Sequence, residues 1–152
     1  MRVETLSDVL EWTVKFHQHM ATCLSQCAEQ HPDQRAQLLL HYLADHEKSL
    51  EKTVAGFKNI GGDNALKTWC YDHLDQHSIV QREPCDAAFH DMSAEEIMGE
   101  VMTLHDDVIA LYRYLAERAD IPQAQELTQN LLSLEEHQIM IMTQAANRLH
   151  DF

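Results

Sequence analysis

Apolar residues recur at intervals of three and four positions along four stretches of the chain, which is the spacing of one buried face of an α-helix. The four apolar stripes begin near Leu6, Leu39, Ile97 and Leu127, and polar residues fill most of the positions between their members. Their lengths predict four amphipathic helices of roughly 25 to 28 residues each. Such helices bury their apolar faces against one another, so the pattern favours an all-α bundle.

The helix-breaking residues indicate how these helices are connected. A His-Pro-Asp segment at 31–33 separates the first two helices and Pro122 separates the last two, so each pair is predicted to form a tight antiparallel hairpin. A glycine pair at 61–62 ends the second helix, and a capping box that opens at Ser93 begins the third. The intervening segment, 61–92, is far longer than a bundle turn and is predicted to cross over along the bundle.

The composition is that of a single globular domain spanning residues 1–152. Apolar residues make up 45% and charged residues 24% of the chain, and only 4 glycines and 3 prolines interrupt it, which suits long helices. The formal net charge of −14 repels phosphate backbones and anionic lipid. Nucleic acid and membrane surfaces are therefore not expected as partners.

The sequence predicts a cytoplasmic location. Acidic Glu4 stands near the start without a following apolar leader, and no apolar run of about 18 residues occurs, so neither a signal peptide nor a membrane-spanning helix is expected. The four cysteines, Cys23, Cys27, Cys70 and Cys85, are too few and too scattered for a secreted disulfide scaffold. They are expected to be reduced thiols.

Three short motifs carry a resemblance to a known family. Segment 111–117, Leu-Tyr-Arg-Tyr-Leu-Ala-Glu, resembles the FY-x-x-LA-E stretch of rubrerythrin-like proteins. Segment 43–48, Leu-Ala-Asp-His-Glu-Lys, resembles their LA-E-E-E-K run, and segment 131–136 resembles a second copy of it. Over residues 5–60 and 93–150 the chain is thus similar to the ferritin-like superfamily. The resemblance implies an antiparallel ferritin-like four-helix bundle, two helical hairpins joined by the long crossover at 61–92.

The resemblance also implies a di-iron site, and its ligands are only partly present. Such a site takes a glutamate from each of two helices and a Glu-x-x-His pair from each of the other two. Glu47 and Glu135 stand at the glutamates of the two pairs, but Leu50 and Gln138 replace the histidines. A standard di-iron oxidase is therefore disfavoured.

The remaining two ligand positions are altered as well. On the third helix the expected carboxylate falls near Asp106, and on the first it falls near Lys15, which does not coordinate a metal while charged. The two halves of the chain align weakly if the loop of the first hairpin is about three residues longer. That alignment pairs Leu24, Ala28, Leu43 and Glu47 with Leu115, Ala119, Leu131 and Glu135.

Several histidines and carboxylates lie near the middles of the predicted helices, which meet at one level in an antiparallel bundle. The candidate metal ligands at this level are His17, His46, Glu47, His105, Asp106, Glu135 and His137. A mixed layer of imidazoles and carboxylates suits Zn²⁺, Fe²⁺ or Mn²⁺. The alternative is a polar core layer in which histidine and glutamate side chains bond one another.

A second group of nitrogen and sulfur ligands lies in the crossover. Its members are Cys70, His73, His77, Cys85 and His90. Their spacing matches no standard zinc module, so the group is interpreted either as a zinc site or as a solvated linker.

On the fourth helix, Met140 and Met142 with their isoleucine neighbours widen the apolar face, which favours a dimer contact or a more deeply buried helix.

Two functional hypotheses follow. The first is a non-catalytic ferritin-like bundle with a lost or altered di-metal site, acting as a small binding or stress-associated protein. The alternative is a metal-binding protein, with iron, zinc or manganese, that uses the mid-bundle histidines and glutamates for redox chemistry or metal handling. Any enzymatic activity would be that of a di-metal oxidoreductase, and the protein is expected to form a homodimer or a larger homo-oligomer.

Overall fold

The computed structural model describes residues 5–60, 62–67 and 88–150, and four long helices account for most of them. The long helices are α1 Leu6–Gln30, α2 Gln34–Ile60, α4 Ala94–Glu117 and α5 Pro122–His150, with 25, 27, 24 and 29 residues. A short helix, α3 Gly62–Leu66, follows α2, and a single 3₁₀ turn, Phe89–Asp91, precedes α4. No strand occurs in these ranges, and the predicted bundle of two helical hairpins is confirmed.

Side-chain caps fix where three of the long helices begin. The Thr5 hydroxyl accepts from the Asp8 backbone N–H while the Asp8 carboxylate accepts from the Thr5 N–H, which is a complete capping box. Ser93 and Glu96 form the same box at the start of α4, as the sequence predicts. Asp33 caps α2 by accepting from the backbone N–H of Ala36 at 3.1 Å.

A buried histidine fastens the first hairpin turn to the chain that enters α4. His31 lies in the turn between α1 and α2, where its Nδ1 accepts from the Asp33 backbone N–H at 3.0 Å. With Nδ1 acting as acceptor, its Nε2 donates to the Met92 carbonyl at 2.7 Å. The contact links the first hairpin to the start of the second at this end of the bundle.

The core runs the length of the bundle between the four long helices. Buried apolar residues include Leu10, Leu24, Leu43, Val101 and Leu131. A polar contact crosses it between α1 and α4. The Thr13 hydroxyl donates to the Val9 carbonyl at 3.0 Å, so the Tyr112 hydroxyl, 2.5 Å away, is the donor to Thr13.

Removing the Tyr112 hydroxyl is expected to destabilise the fold. Tyr112→Phe deletes a fully buried hydrogen bond and leaves an acceptor on Thr13 unused, so the free energy of unfolding should fall by about 1–2 kcal/mol. Urea denaturation followed by circular dichroism measures it. Tyr42→Phe is the matched control, because Tyr42 is half-buried and its hydroxyl has no hydrogen-bond partner in the described ranges. Equal effects of the two changes would contradict a role for the Thr13 contact.

The cysteines differ from the expectation of four reduced thiols. Cys23, buried in α1, is disulfide-bonded, whereas Cys27, one turn further on, is a free and half-buried thiol. The partner of Cys23 lies outside the described residues, so the expectation is wrong for Cys23 and is otherwise tested only at Cys27. No described helix combines the length and apolar character that crossing a membrane requires.

The predicted crossover ligands fall mostly outside the described ranges. Cys70, His73, His77 and Cys85 lie there, and so does most of the crossover. His90 is described; it stands in the 3₁₀ turn, half-buried, with Nε2 at 3.3 Å from the Asp91 carboxylate. The zinc interpretation of this group stays a prediction.

Candidate metal centre

Four ionisable side chains meet in the middle of the bundle, one from each long helix. His17 comes from α1, Glu47 from α2, His105 from α4 and Glu135 from α5. All four are completely buried, with 0% of each residue exposed. Buried charges are rare unless they are paired, so this cluster requires an explanation.

The four side chains pair in a closed ring, called the His/Glu ring below. His17 Nδ1 lies 2.6 Å from Glu47 Oε2, and His17 Nε2 lies 2.7 Å from Glu135 Oε1. His105 Nδ1 lies 3.3 Å from Glu135 Oε2, and its Nε2 bonds Glu47 Oε1. Each imidazole therefore bridges both carboxylates, and each carboxylate bridges both imidazoles.

This geometry determines the protonation of the ring. An imidazole whose two nitrogens both face carboxylate oxygens donates both N–H groups, so His17 and His105 are imidazolium ions. Two positive imidazolium ions and two negative carboxylates make the ring electrically neutral. A neutral, fully hydrogen-bonded ring is how this core tolerates four buried charges.

The pKa values of the four ring side chains are shifted in the directions that this pairing requires. Burial alone would lower the pKa of His17, but the charges of Glu135 and Glu47 and their hydrogen bonds raise it to about 10. The pKa of His105 rises to about 9, again against the effect of burial. Burial would raise the pKa of Glu47, yet the two imidazolium ions hold it at about 2, and they depress the pKa of Glu135 in the same way.

An internal repeat in the chain produces this arrangement. His17 and Glu47 are 30 residues apart, and so are His105 and Glu135. The capping boxes repeat with the same register, because Thr5 precedes His17 by as many residues as Ser93 precedes His105. The two hairpins thus match without a longer first loop, which corrects the alignment suggested by the sequence.

Aromatic rings close one side of the His/Glu ring. Phe16 meets both imidazoles edge-on, with ring centroids 5.4 Å from His17 and 6.2 Å from His105. Trp12 stacks on Phe16 at 5.7 Å. Sequence reasoning placed Phe16 in the apolar stripe and missed this second role. The one feature of the sequence that could have indicated this contact is that Phe16 directly precedes His17 on the buried face of the helix.

His46 lies beside the His/Glu ring and is not a member of it. It is half-buried and stacks on Tyr42, with ring centroids 5.9 Å apart. Burial lowers its pKa, although the negative charge of Glu47 acts in the opposite direction. Its Nε2 is buried, and no described residue hydrogen-bonds it. Because its pKa is lowered, His46 is a neutral imidazole next to the ring.

The other expected ligands lie elsewhere. Asp106 and His137 are exposed, because one or two residues along a helix turn a side chain by about 100° or 200° away from the inward-facing His105 and Glu135. Lys15 is exposed, and His17 stands where α1 faces Glu47. Leu50 is buried, so an apolar side chain fills the place of the first Glu-x-x-His histidine.

The ring can be tested for its fit to metal ions. His17, Glu47 and His105 each offer one ligand atom, all within 4.8 Å of one another, and Glu135 adds a second carboxylate. Two imidazoles and two carboxylates form a complete donor set for one transition-metal ion. They do not form one for two ions, because the di-iron arrangement uses four carboxylates and two histidines.

Comparison with known proteins bears on the fold. No family model matches the chain, and no curated protein matches it. Among solved structures, the chain is similar to a protein from Thermotoga maritima described as a candidate ferritin-like diiron-carboxylate protein, with a TM-score of 0.57. The match covers 94% of this chain and 95% of that one, at 14% sequence identity. The chain has the ferritin-like fold. At this identity the likeness establishes the fold alone, and the His/Glu ring occupies the interior of that ferritin-like bundle.

Proposed function

We propose that this ferritin-like protein binds one divalent transition-metal ion, Fe²⁺, Zn²⁺ or Mn²⁺, between His17, Glu47, His105 and Glu135. The observation that carries the proposal is the convergence of one imidazole or carboxylate from each of the four helices at one buried point. This is an altered single-ion site in place of a di-metal centre. Bound iron or manganese would supply redox chemistry there, and zinc would supply a rigid cross-link.

Charge balance supports a single divalent ion. Histidine coordinates a metal only in its neutral form, so binding displaces one proton from His17 and one from His105. One divalent ion then replaces two protons, and the net charge of the buried site stays at zero. A second divalent ion would add two uncompensated positive charges to a site with 0% exposure, which burial opposes strongly.

His46 supports the proposal from outside the ring. Its orphaned Nε2 is buried and belongs to a neutral imidazole, the form that binds metals. His46 Nε2 is thus a further candidate ligand for the proposed metal ion, supplied by α2. The exposed Asp106 and His137 have no such part in the proposal.

Metal analysis of protein purified without a histidine tag tests this proposal. We expect about one ion per chain after growth with iron, zinc or manganese, and release of about two protons per ion in calorimetric titrations in two buffers. His17→Gln should lower the affinity at least about 100-fold because it removes one of four ligands. His137→Gln is the matched control and should leave it unchanged. Less than a tenth of an equivalent, or two equivalents, would overturn the proposal.

A metal-free role is the second candidate, and the closure of the ring favours it. All four imidazole nitrogens have a carboxylate partner, so the core is satisfied without an ion. The protein would then be a non-catalytic ferritin-like bundle, as in the first sequence hypothesis. Under this candidate, the ring variants lose stability while metal content stays near zero in every form of the protein.

Location and oligomeric state stay predictions. The disulfide at Cys23 weakens the argument for a cytoplasmic location, because disulfides are rare in cytosolic proteins.

On α5, Met140 is 59% exposed, and its neighbours Ile139 and Ile141 are half-buried, so this face is the proposed homodimer contact. Light scattering measures the molecular mass in solution: the wild type should be a dimer, and Met140→Glu should dissociate it.

A further inference from the structure

A cleft of about 460 Å³ opens at one end of the bundle, away from the His/Glu ring. The first turns of α2, the first half of α4 and the last turns of α5 enclose it. It lies between the two hairpins, near the end where His31 joins the first hairpin turn to the chain entering α4. A cleft of this size has room for a small organic molecule.

The walls of the cleft are apolar and adaptable. Leu39, Met98, Met102 and Leu149 line it, and methionine side chains adjust readily to flexible apolar partners. Gly99 lies in the second turn of α4 and lines the same space; a Cβ added there would meet no atom within 4 Å. Glycine weakens a helix interior by about 1 kcal/mol relative to alanine, so at this position it keeps the cleft wide at the expense of helix stability.

Two polar groups in the cleft lack strong partners. Arg35 is half-buried at the rim and forms no ion pair within 4.0 Å with any described residue. The Thr143 hydroxyl donates only to the Met102 thioether at 3.5 Å, a weak acceptor, whereas Thr103 and Thr128 donate to backbone carbonyls. Both groups are donors, and neither is matched by an oxygen.

We propose that this cleft binds an amphipathic monocarboxylate, a carboxylate with a flexible hydrocarbon chain. The carboxylate pairs with the Arg35 guanidinium and accepts from the Thr143 hydroxyl, and the hydrocarbon chain lies against Leu39, Met98 and Met102. A charge-assisted bond to an otherwise unpaired guanidinium supplies specificity, and burial of the chain supplies affinity. This site is independent of the metal proposed for the His/Glu ring.

Glu95 also lines the cleft, and its negative charge opposes the binding of an anion there. It is exposed, and its carboxylate repels an anion bound at Arg35 across the mouth of the cleft. Glu95→Gln should therefore tighten the binding of a carboxylate. For a cationic ligand the same change would weaken binding.

Titration of the full chain with sodium decanoate, followed by calorimetry and methionine methyl NMR, tests the proposal. Gly99→Leu fills the cleft and should weaken binding at least about tenfold, while Gly56→Leu, at the other open glycine within a long helix, should leave it unchanged. Arg35→Gln should weaken decanoate binding about tenfold and leave decan-1-ol binding unaffected.

Four results would overturn it. These are no decanoate binding up to millimolar concentration, equal effects of Gly99→Leu and Gly56→Leu, tighter binding of decyltrimethylammonium than of decanoate, or a dimer that Gly99→Leu dissociates. The last result would assign the cleft to a second copy of the chain. Circular dichroism of each variant establishes that it is folded before its titration is interpreted.

Discussion

Glu135→Ala is expected to lower the free energy of unfolding of the metal-free protein by about 3–5 kcal/mol. Glu135 accepts from both His17 and His105, so its removal leaves the ring with two imidazolium ions and one carboxylate in a fully buried site. Either a positive charge stays unpaired in the core or a histidine gives up its proton and one hydrogen bond. Urea denaturation at pH 7 with a chelator present measures the loss.

The neighbouring residue provides the control for this change. Glu136 is exposed and pairs with Arg113 at 3.5 Å, so Glu136→Ala should change the free energy of unfolding by no more than about 0.5 kcal/mol. Glu135→Gln keeps the volume of the side chain and one acceptor oxygen, and should fall between the two alanine variants. A loss below about 1 kcal/mol for Glu135→Ala would show that the ring is not ionised as described.

The helical architecture could be predicted from sequence because several independent signals agree. The period of the apolar stripe, the capping residues and the short breaks at 31–33 and near Pro122 all place the same four helices, and a tight turn forces an antiparallel hairpin. The Ser93 capping box fixed the start of α4 to the residue. Packing between the hairpins has no such local signal, and the cleft lined by Arg35 and Gly99 was not foreseen.

The site was only partly predictable because height along a helix does not fix the direction of a side chain. Mid-bundle height placed His17, His105 and His137 together, but the helical rotation buries the first two and exposes the third. The hydrophobic stripe carried this information, since His17 follows Phe16 and His105 follows Leu104 on buried faces.

The assumed longer loop explains the error in the ligand alignment. Shifting the first hairpin by three residues pairs Lys15 with Asp106, and both are exposed. Without the shift, His17 pairs with His105, and the two imidazoles replace the two carboxylates that the resemblance led us to expect there. The sequence placed Glu47 and Glu135 in the bundle interior, where both are buried, because their motifs do not depend on the length of the loop.

The stability of the metal-free protein is expected to fall by about 2–4 kcal/mol between pH 7 and pH 9. The folded pKa values of His17 and His105, about 10 and about 9, lie above the ordinary value of 6.5. Their contribution is therefore complete below pH 6.5 and is lost as the pH rises through 9 to 10, because the unfolded chain gives up these protons first. Urea denaturation at half-unit intervals of pH measures the slope.

At low pH the sign is reversed, because the carboxylates have depressed pKa values. The contribution of Glu47 is present above about pH 4.5 and is lost as the pH falls towards 2, so the ring stabilises the fold most between about pH 4.5 and 6.5. Repeating the series in 0.5 M salt screens the repulsion among surface charges, which also grows with pH at a net charge of −14, but leaves the buried ring almost unaffected.

Zinc distinguishes the two proposed roles of the ring in the same experiment. An ion that displaces the protons of His17 and His105 removes their titration, so one equivalent of Zn²⁺ should abolish the fall in stability above pH 7. If the ring is a metal-free core layer, zinc leaves the slope unchanged, and Glu135→Gln reduces the slope by about half, because the remaining carboxylate of Glu47 balances only one imidazolium ion. A flat profile in the metal-free wild type would contradict the protonation described for the ring, in which both histidines stay protonated in the core.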